Sequence, residues 1–239
     1  EIPWDGRLEP LLGSLSLQRP DAFLPTIAYT GTEYGPWRNL KSIYASLKKS
    51  VEKTLRIYCA EPVILGSPQF WWALNGLYMH RIYEHFGLIG ACHGCRLYAF
   101  ALRIPLCRTI EAHMFIPAVQ GPYEGCAMGS CKALIKYSDI FMAGFGIEVV
   151  YNSDKPDMLP AGSKRLMTRE KKETLSCVLA PHVKNNASKS PGYENTKSFF
   201  ESYAVPAAAR IISKKLAGSS VDYSREVSDI ILPLLKNKK

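Results

Sequence analysis

The segment Cys92-His93-Gly94-Cys95 carries the residue types and spacing that chemistry most often uses. Two thiolates two residues apart, at a turn that opens a helix, can face one metal ion or cluster, and the helix N-terminus favours their anionic form. The same spacing occurs in redox dithiols and in structural cores. We interpret the pair first as ligands to a metal or an iron–sulfur cluster, with the other two roles as alternatives.

Five further cysteines accompany this pair. Cys126 and Cys131 lie in a segment of small residues, where they suit the rest of a zinc site, extra cluster thiolates, a reactive sulfur carrier or a structural role. Cys177 stands in a short apolar island within a polar stretch and is a candidate third ligand. Cys59 and Cys107 are expected to be buried and to act as small hydrophobic residues.

A glycine-bearing loop, Thr30-Gly31-Thr32-Glu33-Tyr34-Gly35, follows the first predicted strand and precedes a helix. Its backbone amides can cradle a phosphate, so Thr30, Gly31, Thr32 and Gly35 are candidate cofactor-binding residues. The loop lacks the lysine of a Walker A motif and the G-x-G-x-x-G spacing. An ordinary turn between a strand and a helix is the alternative.

Other polar and aromatic residues admit both a functional and a structural interpretation. Four arginines on the helices around the cysteine pair either clamp an anion or line a solvated face: Arg81, Arg96, Arg103 and Arg108. His93 and His113 suit acid–base work or a structural role. The run Phe70-Trp71-Trp72 suits stacking on bases, although aromatic residues at helical spacing usually belong to a core.

Strand and helix patterns alternate along residues 23–155, which predicts a parallel sheet with helices on both faces. Strands are expected at 22–29, 55–60, 113–119 and 147–151, and the loops at their ends are expected to converge on one site. Residues 1–22 are predicted to form an N-terminal arm. Residues 156–239 are predicted to form a basic extension that ends in helices around 196–204, 205–216 and 222–235.

Composition narrows the class of protein. Hydrophobic residues make up 47% and charged residues 21%, which favours a globular α/β fold over disorder or a coiled coil. The absence of an apolar run long enough to cross a bilayer favours a soluble protein. Seven cysteines, two of them in a C-x-x-C pair, fit a reducing, cytoplasmic compartment better than a disulfide framework.

The formal net charge of +9 points to an anionic partner, either a small substrate or a nucleic acid. Roughly half of the lysines and arginines lie beyond residue 160. Much of the charge is therefore expected in the C-terminal segment, where it suits a tRNA or remains a solvated tail. A homodimer is compatible with the sequence, which does not determine the oligomeric state.

The order of these features resembles the PP-loop ATP pyrophosphatase superfamily, and within it the iron–sulfur-dependent tRNA thiolation enzymes. The resemblance covers about residues 23–180 and is carried by the strand, the 30–36 loop, the Cys92-x-x-Cys95 pair and the later Cys177. Those enzymes grip ATP with a Ser-Gly-Gly-x-Asp-Ser loop and hold a 4Fe–4S cluster with a C-x-x-C pair and one distant cysteine. This chain lacks the second glycine, the aspartate and the final serine of that loop.

The resemblance implies a Rossmann-like fold of the PP-loop type and a cluster held by Cys92, Cys95 and Cys177. It also implies iron–sulfur-dependent sulfur transfer or desulfuration, with ATP and Mg²⁺ at the 30–36 loop if a substrate is adenylated. Cys126 and Cys131 match no position of that pattern, and a persulfide-bearing catalytic role is one hypothesis for them. Two alternatives stay open: a nucleic-acid-binding module with zinc held by Cys92, Cys95, Cys126 and Cys131, and a nucleotide-binding regulatory protein.

Overall fold

A computed structural model describes residues 8–87, 91–117, 128–151, 175–178 and 192–236. Within them, helices and short strands form a mixed α/β structure. The described residues divide into two compact units that are each assembled from separate stretches of chain. Unit 1 comprises residues 1–65, 114–121 and 149–178, and unit 2 comprises the remainder. The predicted division into an arm, a core and an extension stays a prediction.

The strands are short and pair two by two. Their bounds are β1 (Ala22–Phe23), β2 (Thr26–Tyr29), β3 (Glu33–Tyr34), β4 (Tyr58–Cys59), β5 (Val63–Gly66), β6 (Met114–Phe115), β7 (Glu148–Val149) and β8 (Ser176–Cys177). The pairs are β1–β4, β2–β5, β3–β8 and β6–β7. The β1–β4 pair is parallel and the β3–β8 pair is antiparallel. Among the described residues, the expected single sheet is therefore present only as these separate pairs.

Parallel pairing also holds between the segments around β6 and β7. The amide of Glu148 donates to the carbonyl of His113, and the amide of Val150 donates to the carbonyl of Phe115. Because the bonded residues advance in the same direction on both segments, the two strands run parallel. This pairing agrees with the parallel sense expected for strands that alternate with helices.

The helices follow the predicted order closely. Their bounds are α1 (Glu9–Gln18), α2 (Arg38–Ser50), α3 (Pro68–Trp71), α4 (Met79–Phe86), α5 (Ala91–Ala101), α6 (Arg103–Thr109), α7 (Met128–Ala143), α8 (Tyr193–Phe199), α9 (Val205–Leu216) and α10 (Tyr223–Lys236). The π-helical turns Val51–Leu55, Trp72–Gly76 and Phe200–Ala204 extend α2, α3 and α8. The three predicted C-terminal helices are thus confirmed.

Unit 1 has its own apolar core. The N-terminal segment supplies α1, which buries Leu11, Leu12 and Leu15 although the sequence there shows no clear periodicity. The amphipathic helix α2 buries Leu40, Ile43 and Leu47 in the same cluster, because these residues recur every three or four positions. This core holds the strands that lead into the 30–35 loop.

Unit 2 is built around aromatic side chains. Phe70 stacks on Tyr223 and meets Tyr98 edge to face, and Phe86 lies against both Phe199 and Tyr203. Buried aromatic pairs of this kind contribute roughly 0.5–1.5 kcal/mol beyond their buried area. They fix the C-terminal helices against the helices that flank the cysteine pair.

No helix within the described ranges is both long and apolar enough to cross a bilayer.

Candidate functional site

The C-x-x-C pair lies in the first turns of α5. The sequence indicated a turn that opens a helix here, and the helix already begins at Ala91, before the pair. Cys92 and Cys95 are three positions apart in the helix, so their side chains project from the same face. Both are partly buried and neither is in a disulfide. Two thiols arranged in this way can reach one metal ion or cluster.

Gly94 lets this segment approach its neighbour closely. A Cβ atom at Gly94 would lie 1.9 Å from Oδ1 of Asn75, inside any acceptable contact. Asn75 is itself buried, and its Nδ2 donates to the carbonyl of Trp71 over 3.2 Å. The glycine between the cysteines therefore serves packing, because only a residue without a side chain fits at this position.

Two arginines that follow the cysteine pair in the chain are buried. Arg96 follows Cys95 directly, is 6% exposed, and places its guanidinium 5.4 Å from the centre of the Phe100 ring. Arg103 is 1% exposed and donates through Nη1 to the carbonyl of Ala99. Because these two arginines are buried, the expected solvated face is wrong for them.

The remaining polar candidates around the pair divide between surface and interior. Arg81 is exposed and pairs with Glu84 at 3.1 Å, and Arg108 is exposed as well. His93 is buried, whereas His113 is exposed. Arg81 and Arg108 therefore match the expectation of a solvated face.

Cys131 lies on a helix that packs against the helix with the pair. It is in the first turn of α7, and α7 contacts α5 within unit 2. Cys131 is 5% exposed and is disulfide-bonded. Cys126 lies outside the described residues. In this oxidised form the sulfur of Cys131 is not a thiolate, and its predicted catalytic role stays a prediction.

The predicted phosphate loop already binds an anionic group. The carboxylate of Glu33 accepts from the amide of Thr30 at 2.8 Å through Oε1 and from the amide of Gly31 at 2.9 Å through Oε2. The Thr30 hydroxyl donates to Oε1 over 2.7 Å. Gly31 and Gly35 have φ angles of 92° and 122°, which side-chain-bearing residues rarely adopt. These glycines shape a loop whose amides point toward a negative charge.

Cys177 adjoins this loop. The antiparallel pairing of β3 and β8 places Glu33 opposite Cys177, and the amide of Val178 donates to the carbonyl of Thr32. The Sγ atom of Cys177 lies 3.2 Å from Oγ1 of Thr32, within hydrogen-bonding distance. The structure thus brings the predicted third ligand into contact with Thr32, one of the predicted cofactor-binding residues.

The predicted site residues therefore form two groups. Cys92, Cys95 and Cys131 belong to unit 2, whereas the 30–35 loop and Cys177 belong to unit 1. Within the described part of the chain, no three or more His, Cys, Asp or Glu residues are grouped so that they could hold a metal ion. The three-cysteine ligand set stays a prediction.

The two cysteines that were expected to be structural are buried. Cys59 is fully buried in unit 1, and burial raises the pKa of its thiol to about 11. Burial also raises the pKa of the Cys107 thiol. Both thiols therefore stay protonated near neutral pH, and the expected role as small hydrophobic residues is confirmed.

The aromatic run Phe70-Trp71-Trp72 is divided between core and surface. Phe70 and Trp71 are buried, while Trp72 is 54% exposed. The Trp72 ring covers Gly76, where a Cβ atom would lie 2.2 Å from Cε3. The core interpretation is thus confirmed for two of the three residues.

Two site residues were missed by the sequence reasoning. Glu33 was treated only as part of the loop, although Thr-x-x-Glu is the spacing at which a glutamate can reach back to the amide of the threonine. That pattern was the available signal. Asn75 carries no comparable signal, because its contact with Gly94 joins two helical segments that lie far apart in sequence.

Comparison with known proteins gives little guidance on function. No protein-family model matches the chain, and no solved structure matches it. An uncharacterized protein of Methanocaldococcus jannaschii is 31% identical over 95 residues, which cover 38% of this chain and 33% of that protein. The chain therefore spans about a third of the length of this relative.

Proposed function

We propose that this chain is a sulfur-handling enzyme whose cofactor is a 4Fe–4S cluster bound through Cys92, Cys95 and Cys177. The observation that carries the proposal is the pair of thiols one turn apart on α5, outside any disulfide and beside the buried Arg96. In this proposal the mixed α/β structure belongs to the Rossmann-like PP-loop type. The reaction is sulfur transfer to, or sulfur removal from, an anionic substrate.

The residues fit such a group in part. Cys92 and Cys95 are soft ligands with the spacing that clusters use, and Cys177 is a third thiol outside disulfides. When bound through three cysteines, the cluster supplies an iron with an open position that binds a sulfide or a substrate thiol. The chain contributes the buried positive charge of Arg96, which follows Cys95 directly in the sequence.

The 30–35 loop is the proposed nucleotide site. Its two successive amides and the Thr30 hydroxyl already converge on one carboxylate, so they have the arrangement that an anionic oxygen requires. ATP with Mg²⁺ would be held there if a substrate oxygen is activated by adenylation. Gly31 keeps its backbone close to the bound group because it has no side chain.

The proposed partner is an anionic substrate such as tRNA. The proposed compartment is the reducing cytoplasm, where Cys131, which is disulfide-bonded in the structure, would be a thiol. The net charge of +9 supports a polyanion. Residues 192–236, which form α8–α10 and their connections, contain six basic and five acidic residues. Residues 152–191 contain eight basic and four acidic residues. The excess positive charge of the C-terminal half therefore lies mainly in residues 152–191. The oligomeric state, including a homodimer, is left open.

A zinc-stabilised nucleic-acid-binding module is the second candidate. One observation favours it: α7, which carries Cys131, packs against α5, which carries the C-x-x-C pair. In the reduced protein, Cys92, Cys95, Cys126 and Cys131 would then close a tetrahedral site with no open position. Such a site stabilises the fold and performs no chemistry.

Metal analysis of anaerobically purified protein separates the two candidates. We expect about four irons and four sulfides per chain, and an absorbance band near ~400 nm, in the wild type. Cys177→Ser should lose the iron, and Cys131→Ser should keep it. Cys107→Ala, which removes a buried thiol from the same unit as the pair, is the matched control and should keep it as well.

The opposite pattern would support the zinc module. Zinc without iron, lost in Cys131→Ser and kept in Cys177→Ser, would contradict the cluster and the enzyme proposal together. Loss of iron from the Cys107→Ala control would show that the metal content reports folding rather than ligation.

A further inference from the structure

The anion-binding groups of the 30–35 loop are occupied by a side chain of the loop itself. Each carboxylate oxygen of Glu33 accepts from one backbone amide, Oε1 from Thr30 and Oε2 from Gly31, and Oε1 also accepts from the Thr30 hydroxyl. A phosphate group binds through the same contacts, because its oxygens accept from convergent amides and hydroxyls. The amides of Thr30 and Gly31 and the Thr30 hydroxyl can therefore bind either the Glu33 carboxylate or a phosphate, but not both at once.

The backbone of Glu33 is held while its side chain can move. Glu33 is in β3 and is paired with Cys177 in β8, so the main chain is fixed by the strand pairing. The side chain is partly exposed, and Gly31 beside it is exposed. Rotation of the side chain alone would therefore free the amides without disturbing the pairing of β3 and β8.

We propose that the carboxylate of Glu33 competes with the phosphate groups of the nucleotide for the same amide and hydroxyl donors of the loop. The phosphate groups bind only when this carboxylate is displaced. The inference rests on the proposed function of the loop as a nucleotide site, and it adds a residue that sets the affinity of that site. Two effects act together: the carboxylate satisfies the donors, and its negative charge repels a phosphate. A high nucleotide concentration, or a substrate that draws Glu33 away, is then required to fill the loop.

The test is the affinity of the full chain for inorganic pyrophosphate, measured by isothermal titration calorimetry. Glu33→Ala removes the competitor and should bind pyrophosphate at least about tenfold more tightly than the wild type. Glu33→Gln keeps the shape without the charge and should fall between the two. Glu52→Ala removes the same charge from an exposed position of unit 1 and should match the wild type.

A second variant locates the binding on the loop. Gly31 has a φ of 92°, so Gly31→Ala strains the backbone that carries the amides. Added to Glu33→Ala, this substitution should abolish the gain in affinity. Circular dichroism and thermal unfolding of each variant verify that the chain remains folded.

Equal pyrophosphate affinity of Glu33→Ala and wild type, within about twofold, would overturn the inference. A gain that survives the Gly31→Ala substitution would overturn it too, because the pyrophosphate would then bind elsewhere. Iron content measured on the same preparations reports on the cluster independently. Retained iron with unchanged affinity contradicts the inference alone, whereas tighter binding without iron supports the inference and contradicts the proposed cluster.

Discussion

The hydrogen bonds that join Glu33, Thr30, Thr32 and Cys177 have a donor and an acceptor that can be assigned for each bond. The single hydroxyl proton of Thr30 is donated to Glu33, so in the 2.7 Å contact between the two threonine hydroxyls it is Thr32 that donates. Because the single hydroxyl proton of Thr32 is donated to Thr30, Thr32 can only accept in its contact with Cys177. The Cys177 thiol is therefore the donor in that contact. In this order Glu33 orients the hydroxyl of Thr30, and through it the hydroxyl of Thr32 that accepts from the Cys177 thiol.

Removing the middle hydroxyl should make Cys177 more reactive. Thr32→Val keeps the shape of the side chain and deletes the acceptor of the Cys177 proton, which is worth about 1 kcal/mol. We expect Cys177 of metal-free protein to be alkylated about fivefold faster by iodoacetamide, since its sulfur is no longer held in a hydrogen bond of this size. Mass spectrometry of the peptide containing Cys177 measures the rate.

Thr54→Val, in the π-helical turn after α2, is the matched control and should leave the alkylation rate unchanged. An unchanged rate in Thr32→Val would mean that the thiol is not governed by this hydroxyl.

At the residue scale, the sequence showed the residue types of the loop but not their contacts. The glycines of the loop and the Thr-x-x-Glu spacing were visible in the chain. The contact between Thr32 and Cys177 was not, because it joins residues 145 positions apart. Similarly, Arg96 and Arg103 looked like surface residues, because charge alone does not show which helix face is buried.

At the scale of the elements, the helical segments that contain Asn75 and Gly94 pack closely against each other. Gly94 on α5 faces Asn75 in the turn Trp72–Gly76, and no side chain fits between them. The chain that contains Asn75 forms α3, a π-helical turn and α4, with Leu77 and Tyr78 between the last two. Gly76 beneath the Trp72 ring contributes to this irregular path.

Gly94→Ala should destabilise the protein by about 1–3 kcal/mol, because overpacking forces a buried side chain or a helix to shift. Urea unfolding measures the change. Gly192→Ser is the control, since a Cβ atom there meets nothing within 4 Å and serine suits this N-cap position of α8, and it should change the free energy of unfolding by about a few tenths of a kcal/mol at most.

The double variant Gly94→Ala, Asn75→Ala should recover part of the loss, because the smaller side chain makes room. Additive losses would show that the contact with Asn75 is not the cause.

The last two helices are joined by a buried carboxylate. Glu226 on α10 is 3% exposed and is paired with Lys214 and Arg210 on α9. The Lys214 hydrogen bond, assisted by Arg210, lowers the pKa of Glu226 below its usual value of about 4.5. A carboxylate whose pKa is lower in the folded state stabilises the fold above pH 4.5 and loses this contribution as the pH falls through the lowered value.

Glu226→Gln should therefore reduce the free energy of unfolding at pH 7 by about 1–3 kcal/mol, and the difference from wild type should shrink near pH ~3. Urea unfolding at both pH values measures this. Glu194→Gln, which disrupts an exposed pair with Lys197 on α8, should change little at either pH. A difference for Glu226→Gln that is the same at both pH values would exclude the carboxylate as its source.

For the whole molecule, the sequence predicted the element types better than their assembly. Periodic patterns identified the three C-terminal helices and most strands, because both periods are local, but they did not identify α1. The strand partners depend on segments that are far apart in the chain, and strands of two to four residues carry too little pattern to specify them. The loop and the C-x-x-C pair belong to two different compact units, and no local pattern in the sequence predicts this division.

Charge is the property of the whole molecule that bears on its partner. If the proposed polyanion is tRNA, its binding should weaken steeply with salt, because phosphate contacts release counterions. Lys171→Ala with Lys172→Ala, outside the described residues, should lower the slope of log affinity against log salt by about 1–2. Filter binding at several salt concentrations measures the slope.

Lys49→Ala with Lys53→Ala, at exposed positions in and after α2, removes the same charge and is the control, which should keep the slope of the wild type. Equal slopes for both double variants would place the contacts away from the 152–191 stretch.

The pairing of β3 with β8 also determines when the 30–35 loop can be completed during synthesis. Its thiol neighbour, Cys177, emerges from the ribosome 145 residues after Thr32. At about 5–20 residues per second, this interval lasts roughly 7–30 s. Throughout that time the nascent loop has its glycines, its threonines and Glu33 but not its partner strand. The translation rate therefore determines how long the 30–35 loop exists before β8 is available to pair with β3.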